Sequence, residues 1–152
     1  MTPRRLGPDM DPQLDGEPLA PIPSHDASCW GCGAQGALRL RFVDDGRVTR
    51  ARVPALGSAH AHASPAGDAR DGSVLAVMEE AARHAAWARL KSADVETDGK
   101  TELYAKGVRA DRPFVVEAWP GRRSGSGFFF YARVLQDGEE RAHMETWLRG
   151  AP

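Results

Sequence analysis

From Val74 to Leu90 the chain carries apolar or small residues over most of a helical surface: Val74, Leu75, Val77, Met78, Ala81, Ala82, Ala85, Trp87 and Leu90. A surface helix needs one apolar stripe, whereas a helix apolar over most of its circumference has to be buried. The many small residues let a sheet approach closely. This segment is therefore expected as one helix set into the concave face of a sheet, with a narrow polar stripe of Glu79, Glu80, Arg83 and His84. Asp71 or Ser73 is expected as its N-cap.

The flanking segments have the period of strands. Leu38–Val43 alternates apolar and basic residues, Asp44-Asp45-Gly46 reads as a turn, and Arg47–Val53 resumes the alternation, predicting a hairpin. Residues 54–71, rich in Gly, Ser, Ala, His and Pro, form a long loop, a length that favours function or mobility. After the helix come four more strand candidates: Thr101–Val108, Phe114–Trp119, Gly127–Leu135 and Arg141–Leu148. Two strands, a helix and a four-strand meander predict an α+β domain with an antiparallel sheet. Residues 1–28 are punctuated by Pro3, Pro8, Pro12, Pro18, Pro21 and Pro23 and are expected to be a flexible lead-in, with the domain spanning 29–150.

Composition excludes several classes of function. The 152 residues suit one domain, and a net charge of −1 argues against nucleic acid as the main partner. No apolar run follows the N-terminal arginines and no segment has the length of a membrane helix, so no membrane is expected and the cytoplasm is the expected compartment. Cys29 and Cys32 alone do not make a disulfide framework. With His25, and with His60 or His62, they could complete a zinc site. Structural zinc wants a second well-spaced ligand pair, so no metal is expected and the Cys-x-x-Cys is taken as a packed entry turn. A redox role would need a βαβ context.

Four stretches carry a resemblance. Cys29-Trp30-Gly31-Cys32-Gly33 with Ala37-Leu38-Arg39-Leu40-Arg41-Phe42 resembles a "CxxCG…GLxLxF" opening. Asp71-Gly72-Ser73 stands where a His-Gly-Gly would lead into a central helix, with an acid, Glu80, nine residues after Asp71. Residues 108–113 resemble the strand and turn after that helix, and residues 128–135 with 141–148 resemble the closing strands. In this order they resemble the hotdog fold of the acyl-CoA thioesterase superfamily, in particular the phenylacetate-pathway and 4-hydroxybenzoyl-CoA thioesterase types. The resemblance implies an antiparallel sheet wrapped around one central helix, a homodimer or homotetramer, and an acyl-CoA or acyl-carrier thioester as substrate. No separate cofactor is implied, since coenzyme A is part of the substrate.

By position, the resemblance makes Gly72 the donor of an oxyanion-binding N–H. The first N–H groups of a helix have no intrahelical acceptor and sit at the positive end of the helix dipole. Glu80 becomes the carboxylate that activates water or attacks the carbonyl carbon, with Glu79 the candidate one residue away. Because hotdog sites usually form between subunits, Gly72 and Glu80 of one site can come from different chains.

This chain departs from the pattern in two places. Asp71 replaces the His, and a carboxylate about 4 Å from a developing oxyanion is repulsive by roughly 4 kcal/mol at an effective dielectric of 20. Ser73 replaces the second Gly; it adds a hydroxyl but has no evident base, so it is expected as a cap or first-turn residue. His84, one turn after Glu80, could tune it, relay protons or support a dehydratase-like reaction. Arg122 and Arg123, joined by Arg109 and Arg112, are the candidates for coenzyme A phosphates, which arginine grips bidentately. Phe128, Phe129 and Phe130 suggest a strand covered on both faces. A domain that has lost hydrolysis and only binds an acyl ligand is the rival expectation.

Overall fold

The computed structural model describes residue 14 and residues 16–23, 25–57, 63–91, 95–125 and 127–150, with the side chains of 95–100, 124 and 150 left aside. His60 and His62 lie outside these residues. One helix packs on a seven-stranded antiparallel sheet. The elements are β1 (Glu17–Pro18), β2 (Val43–Asp44), β3 (Thr49–Val53), α1 (Asp71–Leu90), β4 (Val95–Ala105), β5 (Phe114–Ser124), β6 (Gly127–Gln136) and β7 (Glu139–Gly150). Sheet order is β1-β2-β3-β5-β6-β7-β4.

The helix is buried as its composition requires. Val74, Val77, Met78, Ala81, Ala82, Ala85 and Ala86 are all inside, against Val116, Ala118, Phe130, Ala132, Val134 and Met144 of the sheet. Alanine faces the strands at four of those helix positions, which lets β5 and β6 come close. His84, expected on the polar stripe, belongs to this buried surface instead. Its side chain is 3% exposed, and its ring stacks on Phe42 at 4.0 Å.

The first hairpin is shorter than its alternation predicts. Burial does alternate along the segment: Leu40 and Phe42 are inside, Arg39 and Arg41 outside. Arg39, however, has φ 52°, and a left-handed residue breaks a strand ladder. Only Val43–Asp44 pairs, with Thr49–Arg50. The domain also starts earlier than Cys29. Glu17–Pro18 pairs with Val43–Asp44, the Leu19 N–H donates to the Phe42 carbonyl, and Ile22 is 2% exposed.

In β6 the three phenylalanines split between faces. Phe130 is fully buried, while Phe129 points outward to meet Tyr131 and Trp147 at 4.9 Å each. Within β5 and β6, Glu117 and Arg133 form a buried ion pair.

Candidate functional site

The start of α1 is open. The cap position is Arg70, extended at φ −65° and ψ 143°, and it makes no side-chain cap bond. Neither Asp71 nor Ser73 is the cap, contrary to expectation, because the helical turn already includes Asp71. The Ser73 and Val74 N–H groups both donate to the Arg70 carbonyl. The N–H groups of Asp71 and Gly72 precede any intrahelical acceptor. Gly72 is exposed, and a Cβ added to it would meet nothing within 4 Å. The residue is thus uncovered on its Cβ side. Asp71 is exposed as well, so water screens its carboxylate and the expected repulsion is weakened. Ser73 is buried, 9% exposed. A cleft of about 360 Å³ lies at this end, lined by Ser64, Asp68, Arg70, Asp71, Val74 and Gly107 among others.

Arg109 braces the loop that leads into the helix. Its guanidinium donates to the Ala66 carbonyl at 2.9 Å and pairs with Asp68 and Asp111, and its N–H donates to the Gln136 side chain. Arg122 and Arg123 stand at the far end of β5. Arg122 lies over Phe129 and Trp147, and Arg123 over Phe128. With the length of β5 between them, about 30 Å, Arg109 and Arg112 do not join this pair within one chain.

Glu80 sits two turns into α1, with its side chain 13% exposed. Its Oε1 is 3.0 Å from His25 Nδ1, 3.6 Å from His84 Nδ1 and 3.7 Å from Cys29 Sγ. The segment 25–33 wraps over it. That close approach depends on Gly31, whose added Cβ would come within 2.8 Å of Glu80 Cγ. Gly33 is needed for the same reason inside the turn, where a Cβ would collide with the backbone of Ala27 and Cys29.

The turn aims both cysteines inward. The Gly33 N–H donates to the Cys29 carbonyl at 3.0 Å, Cys32 Sγ lies 3.4 Å from Cys29 Sγ, and His25 Nδ1 lies 3.1 Å from Cys32 Sγ. Both cysteines are free thiols and partly exposed. Burial, then the Glu80 carboxylate and Cys29, push the Cys32 thiol well above its ordinary range.

His84 is fixed rather than mobile. Its Nδ1–H donates to the Glu80 backbone carbonyl at 2.8 Å, and burial lowers its pKa from the ordinary 6.5. With Nδ1–H held by that carbonyl, the ring is oriented beside Glu80, 3.6 Å from its Oε1.

The meeting of His25 with Glu80 was not legible in the sequence. The signal available was His25-x3-Cys29-x2-Cys32, but the helix acid that closes the group depends on which face of α1 the turn covers.

No protein-family model matches the sequence, and no curated protein does. Solved structures do match. A phenylacetic acid degradation-related protein from Ralstonia eutropha, described as a candidate thioesterase, superposes with a TM-score of 0.64 at 18% identity, covering 86% of this chain and 92% of that one. A thioesterase from Pseudomonas aeruginosa gives 0.62 at 16% identity, covering 77% and 84%. A candidate thioesterase from Shewanella oneidensis gives 0.61 at 10% identity, covering 76% and 85%. At such identities the likeness establishes architecture, and on that ground this chain is a hotdog-fold domain.

Proposed function

We propose that the chain hydrolyses an acyl-CoA or acyl-carrier thioester, with the Gly72 amide polarising the carbonyl and Glu80 activating water. The carrying observation is an exposed Gly72 in the first turn of a buried helix, where the N–H has no intrahelical acceptor, with the largely covered carboxylate of Glu80 two turns on. The thioesterases among its structural neighbours support the same class of reaction.

The helix itself fixes how such a site is assembled. Eight residues at 1.5 Å each separate Gly72 from Glu80 by about 12 Å. A carbonyl held at one chain's Gly72 is therefore beyond the reach of that chain's Glu80. The site takes Gly72 from one copy and Glu80 from another, in a homodimer or a higher oligomer. In this proposal the amide stabilises the oxyanion, and Glu80 takes the proton of the attacking water and returns one to the leaving thiolate. Arg122 and Arg123 are proposed to receive the phosphates of coenzyme A, and the cytoplasm suits the unpaired cysteines.

A panel of acyl-CoAs assayed for free thiol tests this. Glu80→Gln is expected to lower the rate by roughly 100-fold or more, the usual scale of general acid–base catalysis. Wild-type activity in Glu80→Gln would reject the assignment.

One observation favours a second reading. Glu80 is covered by its own chain's His25, Cys29 and Gly31, which suits a domain that binds an acyl thioester without cleaving it. Tight acyl-CoA binding with no thiol release would select that reading.

A further inference from the structure

We propose that His25, Cys29, Cys32 and Glu80 form a binding site for one zinc ion. Their ligand atoms, His25 Nδ1, both Sγ atoms and a Glu80 carboxylate oxygen, all lie within 4.8 Å of one another. Zinc bonds to sulfur at about 2.3 Å and to nitrogen or oxygen at about 2.0–2.2 Å, so the edges of its tetrahedron run from roughly 3.3 to 3.8 Å. The edges here are 3.4 Å between the two sulfurs, 3.1 and 3.8 Å from the His25 nitrogen to Cys32 and Cys29, 3.0 Å from that nitrogen to Glu80, and 3.7 Å from Cys29 to Glu80. Five of the six edges are thus within about half an ångström of those of a zinc tetrahedron, and the sixth, Cys32 to Glu80, is no longer than 4.8 Å.

The donor chemistry selects the metal. Two thiolates, an imidazole and one carboxylate suit zinc and reject magnesium or calcium, which take oxygen ligands. Each of the four residues is partly exposed, leaving a path for the ion. The backbone is shaped for the same geometry, since Gly31 admits the helix acid and Gly33 closes the turn that aims both sulfurs to one side. The three sequence-local ligands belong to the segment 25–32, and the fourth comes from α1. An ion here would clip the entry segment to the central helix.

Bound zinc would make Glu80 a ligand rather than a base, so the proposed hydrolysis belongs to metal-free protein. The inference does not depend on that activity: loss of thiol release in every assay leaves the metal count unchanged, and the reverse also holds.

The test uses the full, reduced chain with Zn²⁺ and Co²⁺ as probes. Elemental analysis after dialysis is expected to give one Zn²⁺ per chain. Co²⁺ is expected to give thiolate-to-cobalt charge transfer together with the intense visible bands of a tetrahedral site. Cys29→Ser and Cys32→Ser should each weaken the charge-transfer band and lower Zn²⁺ affinity at least roughly tenfold. Glu80→Gln should keep the charge transfer and bind several-fold less tightly. A reduced wild-type chain that takes up Co²⁺ without charge transfer, or takes up neither ion, overturns the proposal. The wild-type spectrum decides the matter even if a cysteine variant fails to fold.

Discussion

Glu80 Oε1 lies 3.0 Å from His25 Nδ1, and this contact joins the helix to a segment fifty-five positions earlier in the chain. It gives Glu80 two roles that exclude one another. As a free carboxylate it can accept a proton from water. The same carboxylate on a zinc ion has its lone pair committed, and is a poor base.

Metal should therefore control turnover. If the thioester reading holds, chelator-treated protein is expected to release thiol fastest, and one equivalent of Zn²⁺ should suppress the Glu80-dependent rate at least roughly tenfold. The check is a titration of thiol release against Zn²⁺, with an end point at one ion per chain. A rate indifferent to Zn²⁺ would show that Glu80 is not both ligand and base.

The buried ion pair makes a stability prediction. Glu117 is 2% exposed and accepts from Arg133 at 3.0 and 3.1 Å and from Arg50 at 2.7 Å. Removing the carboxylate strands the buried Arg133 charge from its nearest acid. Glu117→Ala is expected to cost about 3–5 kcal/mol, read as a lower denaturant midpoint with an unchanged slope. Arg50 also anchors Asp45. Burial opposes ionisation there, but the Arg50 hydrogen bond and the N–H groups of Val48 and Arg47 outweigh it and bring the carboxyl down to about 2. The Asp45 carboxylate should thus keep its charge well into acid.

His84 gives a pH dependence of definite sign. Burial depresses its pKa below 6.5 in the folded chain, against the partial support of the Glu80 carbonyl and carboxylate. Below 6.5 the unfolded chain gains a proton at this ring that the folded chain resists, so stability falls with falling pH. The contribution is complete above 6.5 and is lost as pH drops toward the folded value. Tm followed from about pH 7 to pH 5 should decline more steeply in wild type than in His84→Gln. Equal slopes would mean that the ring is as easily charged inside as outside.

Much of the architecture was legible because it rests on burial. The small and apolar residues of Val74–Leu90 fit a helix under a sheet, and three of the four later strands fall where their period of two put them; the first runs over Val95–Ala105 instead of Thr101–Val108. What escaped depends on backbone geometry and on tertiary approach. Alternation at Leu38–Val43 predicted which side chains are inside, but not that Arg39 would turn left-handed and stop the ladder. Gly72 and Glu80 could be placed along the helix by counting. That Glu80 would meet His25 and Cys29, rather than Arg83 on a solvated stripe, required knowing where Gly31 crosses α1.

The most direct measurement is complementation between two inactive variants under metal-free conditions. Gly72→Pro removes the amide proton at a first-turn position where proline is tolerated, and Glu80→Gln removes the base. Each alone should be nearly inactive. Mixed, unfolded and refolded together, they should recover about a quarter of wild-type thiol release, because half of the dimers are hybrids and each hybrid holds one intact site. No recovery from demonstrated hybrids, with wild type active, would contradict a site shared between two chains.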